Sequence, residues 1–100
     1  MAVPRVLMVC LGNICRSPMA EGILKHKARE AGIAIHVDSA GTSDWHEGEQ
    51  PDPRAMEEMR SRGIDISDQH SRPFRQTDFD HFDHILVMDT SNRANVLRLA

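Results

Sequence analysis

The sequence has two cysteines, no tyrosine, one tryptophan and no long apolar run, and most of these shortages exclude a class of protein. Cys10 and Cys15 stand five residues apart in one loop-like segment, which is not the framework of a secreted disulfide scaffold and suits a free thiol in a reducing compartment. The apolar run Val6 to Val9 is too short to span a membrane and lacks the flanks and cleavage site of a secretory signal, so a cytoplasmic location without membrane insertion is expected. A net charge of -3 with no basic stripe argues against a nucleic-acid partner, and no block of like charge is long enough to form a tail. With 40% hydrophobic and 27% charged side chains and no low-complexity tract, residues 1–100 are expected to form one soluble globular domain.

The pattern along the chain alternates strand and helix. Residues 3–10 end in a near-continuous apolar run, as in a strand buried on both faces of a parallel sheet. From Pro18 to Ala31 apolar positions recur at three and four residues, with a proline in the first turn and Gly32 as a left-handed stop, which predicts a helix. The alternation of Ile33, Ile35 and Val37 predicts a second strand over 33–39. Asp52-Pro53 supplies a cap and first-turn proline for a second helix through about Arg62, carrying Met56 and Met59 inward and stopping at Gly63. Residues 67–79 read as irregular, 83–88 as another buried strand, and a further helix begins at Thr90 or Ser91. This order implies an α/β fold, a three-layer α/β/α arrangement with a parallel sheet and right-handed crossovers, and places the ligand site beyond the carboxyl ends of the strands.

The loop after the first strand, Cys10-Leu11-Gly12-Asn13-Ile14-Cys15-Arg16-Ser17, carries the chemistry. Backbone N–H groups of a tight strand-to-helix turn converge with the positive end of the helix dipole to form a socket for a tetrahedral oxyanion. Gly12 and Asn13 tolerate the positive φ that such a turn demands. Arg16 brings a planar fork able to grip two phosphate oxygens. The same positive field favours the thiolate of Cys10, and the Ser17 hydroxyl can donate to it. The competing reading, a buried strand-end cysteine beside a surface arginine, accounts for a bare Cys-x5-Arg spacing but not for the strand before it, the Gly-Asn turn within it and the Ser-Pro helix entry after it.

The run Val-Cys-Leu-Gly-Asn-Ile-Cys-Arg-Ser-Pro-Met-Ala-Glu resembles the signature of the low-molecular-weight protein tyrosine phosphatases. Asp38-Ser39-Ala40-Gly41-Thr42, Ser43-Asp44-Trp45, Pro51-Asp52-Pro53-Arg54-Ala55 and Met88-Asp89-Thr90-Ser91-Asn92 are similar to family segments in the family's order. The resemblance implies the flavodoxin-like order of that fold, a phosphotyrosine monoester as substrate (a tyrosine-phosphorylated protein or a small aryl phosphate), a phosphocysteine intermediate on Cys10, release of inorganic phosphate, and no metal or organic cofactor. It assigns catalysis to Cys10, Arg16 and Ser17, and phosphoryl binding to the loop from Leu11 to Cys15. Asn13 would hold the loop shape, braced by Ser39, and Leu11, Ile14 and Trp45 would wall an aromatic ring; Trp45 could instead cap the core. Cys15 either forms a reversible disulfide with Cys10 under oxidation or simply packs.

Two features depart from the family pattern. The family draws its general acid from a downstream Asp-Pro-Tyr loop, whereas these residues contain no tyrosine and stop at Ala100 inside a predicted helix, so the acid, a fourth strand and a closing helix are expected to be missing from this chain. Asp52-Pro53 begins the second helix and is not that acid. General-acid transfer contributes about a hundredfold or more, which keeps an acid-deficient phosphate-binding or phosphopeptide-binding module open as an alternative. The family also supports its loop with a histidine shortly before an arginine, and in Gln69-His70-Ser71-Arg72 either Gln69 or His70 takes that place. An arsenate reductase would need two further downstream cysteines, and a protein arginine phosphatase a threonine where Ile14 stands.

Overall fold

The computed structural model describes residues 3–100. Three parallel strands, β1 (Arg5–Cys10), β2 (His36–Gly41) and β3 (His84–Val87), form one sheet in the order β2-β1-β3. Four helices accompany them: α1 (Arg16–Glu30), α2 (Pro53–Ser61), α3 (Asp78–His81) and α4 (Thr90–Leu97). Pairing runs from Arg5 opposite His36 to Cys10 opposite Gly41 on one side of β1, and from Val6 opposite His84 to Val9 opposite Val87 on the other.

As the central strand, β1 sends alternate side chains into two cores. Leu7 and Val9 face one side, where Phe74, Phe79 of α3 and Val96 of α4 pack on them. Val6 and Met8 face the other, against Ala20 and Leu24 of α1. A third cluster, Ala55, Met59 and Ile66 with Met19 and Ile23, locks α2 onto α1. Helices therefore cover both faces of the sheet, and the expected three layers are present.

Local chemistry sets the helix ends. Asp52 caps α2 by accepting the N–H of Arg54 at 2.8 Å, and α1 stops at Gly32, whose φ of 69° lies in the left-handed region. In three places the structure corrects the sequence reading. β2 starts at His36 rather than Ile33: Ile33 is 60% exposed and its N–H turns back to Ala28 O at 2.8 Å, finishing the helix instead of opening the strand. β3 is shorter than expected and only half buried, with Leu86 47% exposed, because it is flanked by β1 alone among the described residues. Within the stretch read as irregular, α3 forms and Pro73 makes a parallel bridge to Gly41. That bridge extends the sheet beside the loop that follows β1.

Candidate active site

All three strands deliver their carboxyl ends to the same edge, so the 10–17 loop, Gly41 and Asp89 meet there. Backbone bonds from Thr42 N to Cys10 O (2.9 Å) and Ser43 N to Leu11 O (3.0 Å) carry the ladder past the strands and set the first half of the loop. Its second half runs into α1, whose N-terminus has no side-chain cap; the first helix bond is Met19 N to Cys15 O, leaving the N–H groups of Arg16 and Ser17 outside the ladder. Those donors, with the dipole of a 15-residue helix behind them, suit an anion.

Cys10 is buried, and its sulfur accepts the backbone N–H of Asn13 at 3.3 Å and lies 3.0 Å from Ser17 Oγ. Asn13 makes this geometry possible. It is the one described non-glycine residue with positive φ, at 56°, and its side chain is fully engaged. The Arg72 N–H can only donate, so it fixes Asn13 Oδ1 as the acceptor at 3.0 Å and turns Nδ2 toward Ser17 Oγ (2.8 Å) and Ser39 Oγ (2.9 Å). Both hydroxyls thus receive a proton from Asn13. The proton of Ser39 goes to Glu21 Oε1 at 2.7 Å, and that of Ser17 is left to point at Cys10 Sγ. The Asn13 N–H and the Ser17 hydroxyl thus both converge on the sulfur.

The segment after α2 buttresses the loop from below. Ser71 Oγ donates to Gly12 O at 3.0 Å, Gln69 Nε2 to Pro18 O at 3.1 Å, and Arg72 supplies the N–H to Asn13. His70 is exposed and makes none of these bonds; the support expected of Gln69 or His70 comes from Gln69, Ser71 and the Arg72 backbone. The Arg72 guanidinium ties the segment down, reaching Asp38 at 3.2 Å and Asp78 at 3.0 Å. Burial works against that charge, but the carboxylates of Asp78 and Asp38 outweigh it and hold the guanidinium protonated beyond its ordinary range.

Arg16 lies at the rim, about half exposed, and gives Nη1 to Asp89 Oδ2 at 3.1 Å. Asp89 also caps α4 by accepting the Asn92 N–H at 2.8 Å; that bond first, and Arg16 second, keep its carboxyl below the usual range. The contribution of this depressed carboxylate is present above the ordinary carboxylate range and fades as the pH falls through the lowered value. Within the loop Leu11 is exposed and Ile14 half-buried, Trp45 stands 73% exposed on the segment after β2, and Cys15 is exposed as a free thiol. Among the described residues no cluster of His, Cys, Asp or Glu is arranged to hold a metal ion.

The site as a whole can seat a tetrahedral oxyanion beside the Cys10 sulfur. Its tolerance is narrow at Gly41, where a Cβ would stand 2.8 Å from Leu11 O and 3.2 Å from Asn13 Cβ. Gly41→Ala is expected to push the loop away and weaken binding of inorganic phosphate by about tenfold or more, measured by calorimetric titration. An unchanged affinity would mean that the loop does not form the anion socket.

Sequence reasoning passed over Glu21, Asp38, Ser71, Arg72 and Asp89. For Glu21 a signal existed: it lies four residues after Ser17 and so shares its helix face. For the others the contacts that reach the loop or its buttress are long-range, and no local pattern announces those.

Residues 5–100 match the family described as Low molecular weight phosphotyrosine protein phosphatase. The chain is 44% identical over 98 residues to the Low molecular weight phosphotyrosine protein phosphatase of Schizosaccharomyces pombe, covering 95% of this chain and 62% of that protein. The crystal structure of YfkJ from Bacillus subtilis superposes with a TM-score of 0.98 at 40% identity, covering all of this chain and 64% of YfkJ. The structure of DARP, an arginine phosphatase of Drosophila, superposes with a TM-score of 0.91 at 38% identity, covering 95% of this chain and 60% of that one. This chain therefore spans less than two thirds of the length of these relatives. On the match across its sheet, its loop and its helices, the chain belongs to the low molecular weight phosphotyrosine protein phosphatase family.

Proposed function

We infer that this chain forms the phosphate-binding and nucleophilic part of a protein tyrosine phosphatase, carried by a single domain. The observation that carries the reading is the placement of Cys10 Sγ, which accepts the Asn13 N–H at 3.3 Å and lies 3.0 Å from Ser17 Oγ, at the uncapped N-terminus of α1. The Cys10 thiolate attacks phosphorus in line with the ester oxygen; the P–S bond forms, the P–O bond to the aryl group breaks, and the aryl oxide leaves with its electron pair. Loop N–H groups and the Arg16 fork hold the three non-bridging oxygens as charge shifts onto them. Ser17 then stabilises the departing sulfur when water attacks the phosphocysteine and releases inorganic phosphate.

The substrate is an aryl phosphate, a tyrosine-phosphorylated protein or a small mimic. Leu11, Ile14 and Trp45 supply flat apolar walls around a ring, and Ile14 stands where a nitrogen-linked substrate would call for a smaller polar side chain. The fold alone does not choose between ester and phosphoarginine, since the Drosophila arginine phosphatase shares it. A free thiolate nucleophile works in a reducing compartment, in keeping with a cytoplasmic location. None of these steps calls on a cofactor.

The reading is tested by rapid mixing with two phosphopeptides of one sequence, bearing phosphotyrosine or phosphoserine. A stoichiometric burst of dephosphorylated peptide is expected from phosphotyrosine and none from phosphoserine, whose alkoxide is a far poorer leaving group. Equal rates would overturn the aryl assignment. Phosphate bound at equilibrium with no burst from either would favour a binding module instead.

A further inference from the structure

The polar chain that ends at Cys10 begins one turn further along α1, at Glu21. Glu21 is only 3% exposed, a burial that a carboxylate tolerates when both oxygens are partnered. Oε1 accepts the Ser39 hydroxyl, and Oε2 is paired with the Lys25 ammonium one turn further along the helix. An ammonium cannot accept, so Lys25 reserves one oxygen and leaves the other for Ser39. Having given its proton to Glu21, Ser39 offers lone pairs to Asn13 Nδ2, and Asn13 gives its second amide proton to Ser17. The chain is thus poled at both ends, by an N–H at Arg72 that can only donate and by a carboxylate at Glu21 held to accepting.

We propose that Glu21 and Lys25 are positioning residues for the nucleophile: the buried carboxylate, held by the solvent-facing ammonium, fixes Ser39 as an acceptor for Asn13 and so sets how firmly Asn13 and Ser17 solvate the Cys10 sulfur. The inference rests on the reading of Cys10 as a nucleophile. Lys25 is 43% exposed and lines a cavity of about 570 Å³ together with His26, Arg29, Asp65, Asp68 and Gln69. This cavity shares no lining residue with the 10–17 loop, so the reactivity of Cys10 can be tuned from a surface outside that loop. The charged groups facing Lys25 there are His26 and Arg29 on its own helix and Asp65 and Asp68 on the loop after α2; at the other end of the chain, Arg16 and Asp89 stand at the rim beside Cys10.

The test is the rate of Cys10 alkylation by iodoacetamide on the full chain, at mildly acidic and at alkaline pH, with Cys10 resolved from Cys15 by fragment mass spectrometry. Glu21→Gln and Lys25→Met are each expected to slow alkylation about threefold to fivefold at mildly acidic pH and to converge with the parent at alkaline pH. Ser39→Ala should slow it likewise, and adding Lys25→Met to it should slow it no further, because the link is already cut. If Glu21→Gln fails to fold, Lys25→Met decides, since its side chain is half exposed on a helix surface. A parent profile in Lys25→Met and Glu21→Gln alongside an altered one in Ser39→Ala would end the coupling at Ser39 and overturn the inference. A parent thiol no more reactive at mildly acidic pH than free cysteine would overturn the nucleophile reading, and this inference with it.

Discussion

Cys10→Ser is expected to lower release of phenol from an aryl phosphate by at least about a thousandfold while leaving affinity for inorganic phosphate within a few-fold of the parent. The two halves of that result come from different atoms. Binding draws on the N–H groups of the loop and of the uncapped α1, together with Arg16, all of which survive the exchange. Attack draws on the sulfur of Cys10. A serine hydroxyl in the same place keeps its proton, and the groups around it, Asn13 N–H and Ser17 O–H, are donors rather than bases. Stopped-flow release and calorimetric titration read the two quantities separately. Turnover that survives the substitution would place the nucleophile elsewhere.

The second large effect is expected at Asn13. In Asn13→Ala the backbone must hold φ at 56° with a Cβ and without the local bonding that favours it, at a cost of about 1–2 kcal/mol. The same change strips the acceptor from the part-buried Arg72 N–H and the donor from the buried Ser17 and Ser39 hydroxyls, and an unsatisfied buried group costs about 1–3 kcal/mol. A stability loss of about 3 kcal/mol in urea denaturation is expected, with turnover reduced about a hundredfold. Asn13→Gly separates the causes. Glycine accepts the positive φ freely, so it should recover about 1 kcal/mol of the stability but little of the turnover, since the amide that orients Ser17 is still gone. Identical behaviour of the alanine and glycine variants would show that backbone strain at this position contributes nothing.

How far the sequence could be read depended on the range of the forces involved. The loop was legible because its determinants are local: a strand end, residues able to take positive φ, and a helix entry within eight positions. The helix ends at Asp52 and Gly32 were legible for the same reason, being set by one side chain and one backbone conformation. Alternation misled at Ile33, whose N–H closes α1 rather than opening β2; period-two spacing cannot tell a strand from the turn leading to it. The apolar run of β3 read as fully buried because hydrophobicity reports what a strand is made of and not how many neighbours it has. The buttress beneath the loop was the least visible. Arg72 meets Asp38 across 34 positions and Asn13 across 59, and only folding reveals that the Gly41–Pro73 bridge brings them together. His70 and Gln69 are where the family resemblance places the support, whereas part of it is a backbone N–H that any residue type except proline could provide.

Cys10 as the group that takes the phosphoryl is the claim on which the rest depends. The direct measurement is to mix the chain with an aryl phosphate, quench in acid on the timescale of the burst, and locate the added phosphate by fragment mass spectrometry. The arrangement of Asn13, Arg16 and Ser17 predicts a phosphate adduct on Cys10 and none on Cys15. An adduct on another residue, or hydrolysis that proceeds with Cys10 unmodified at every time point, would contradict it.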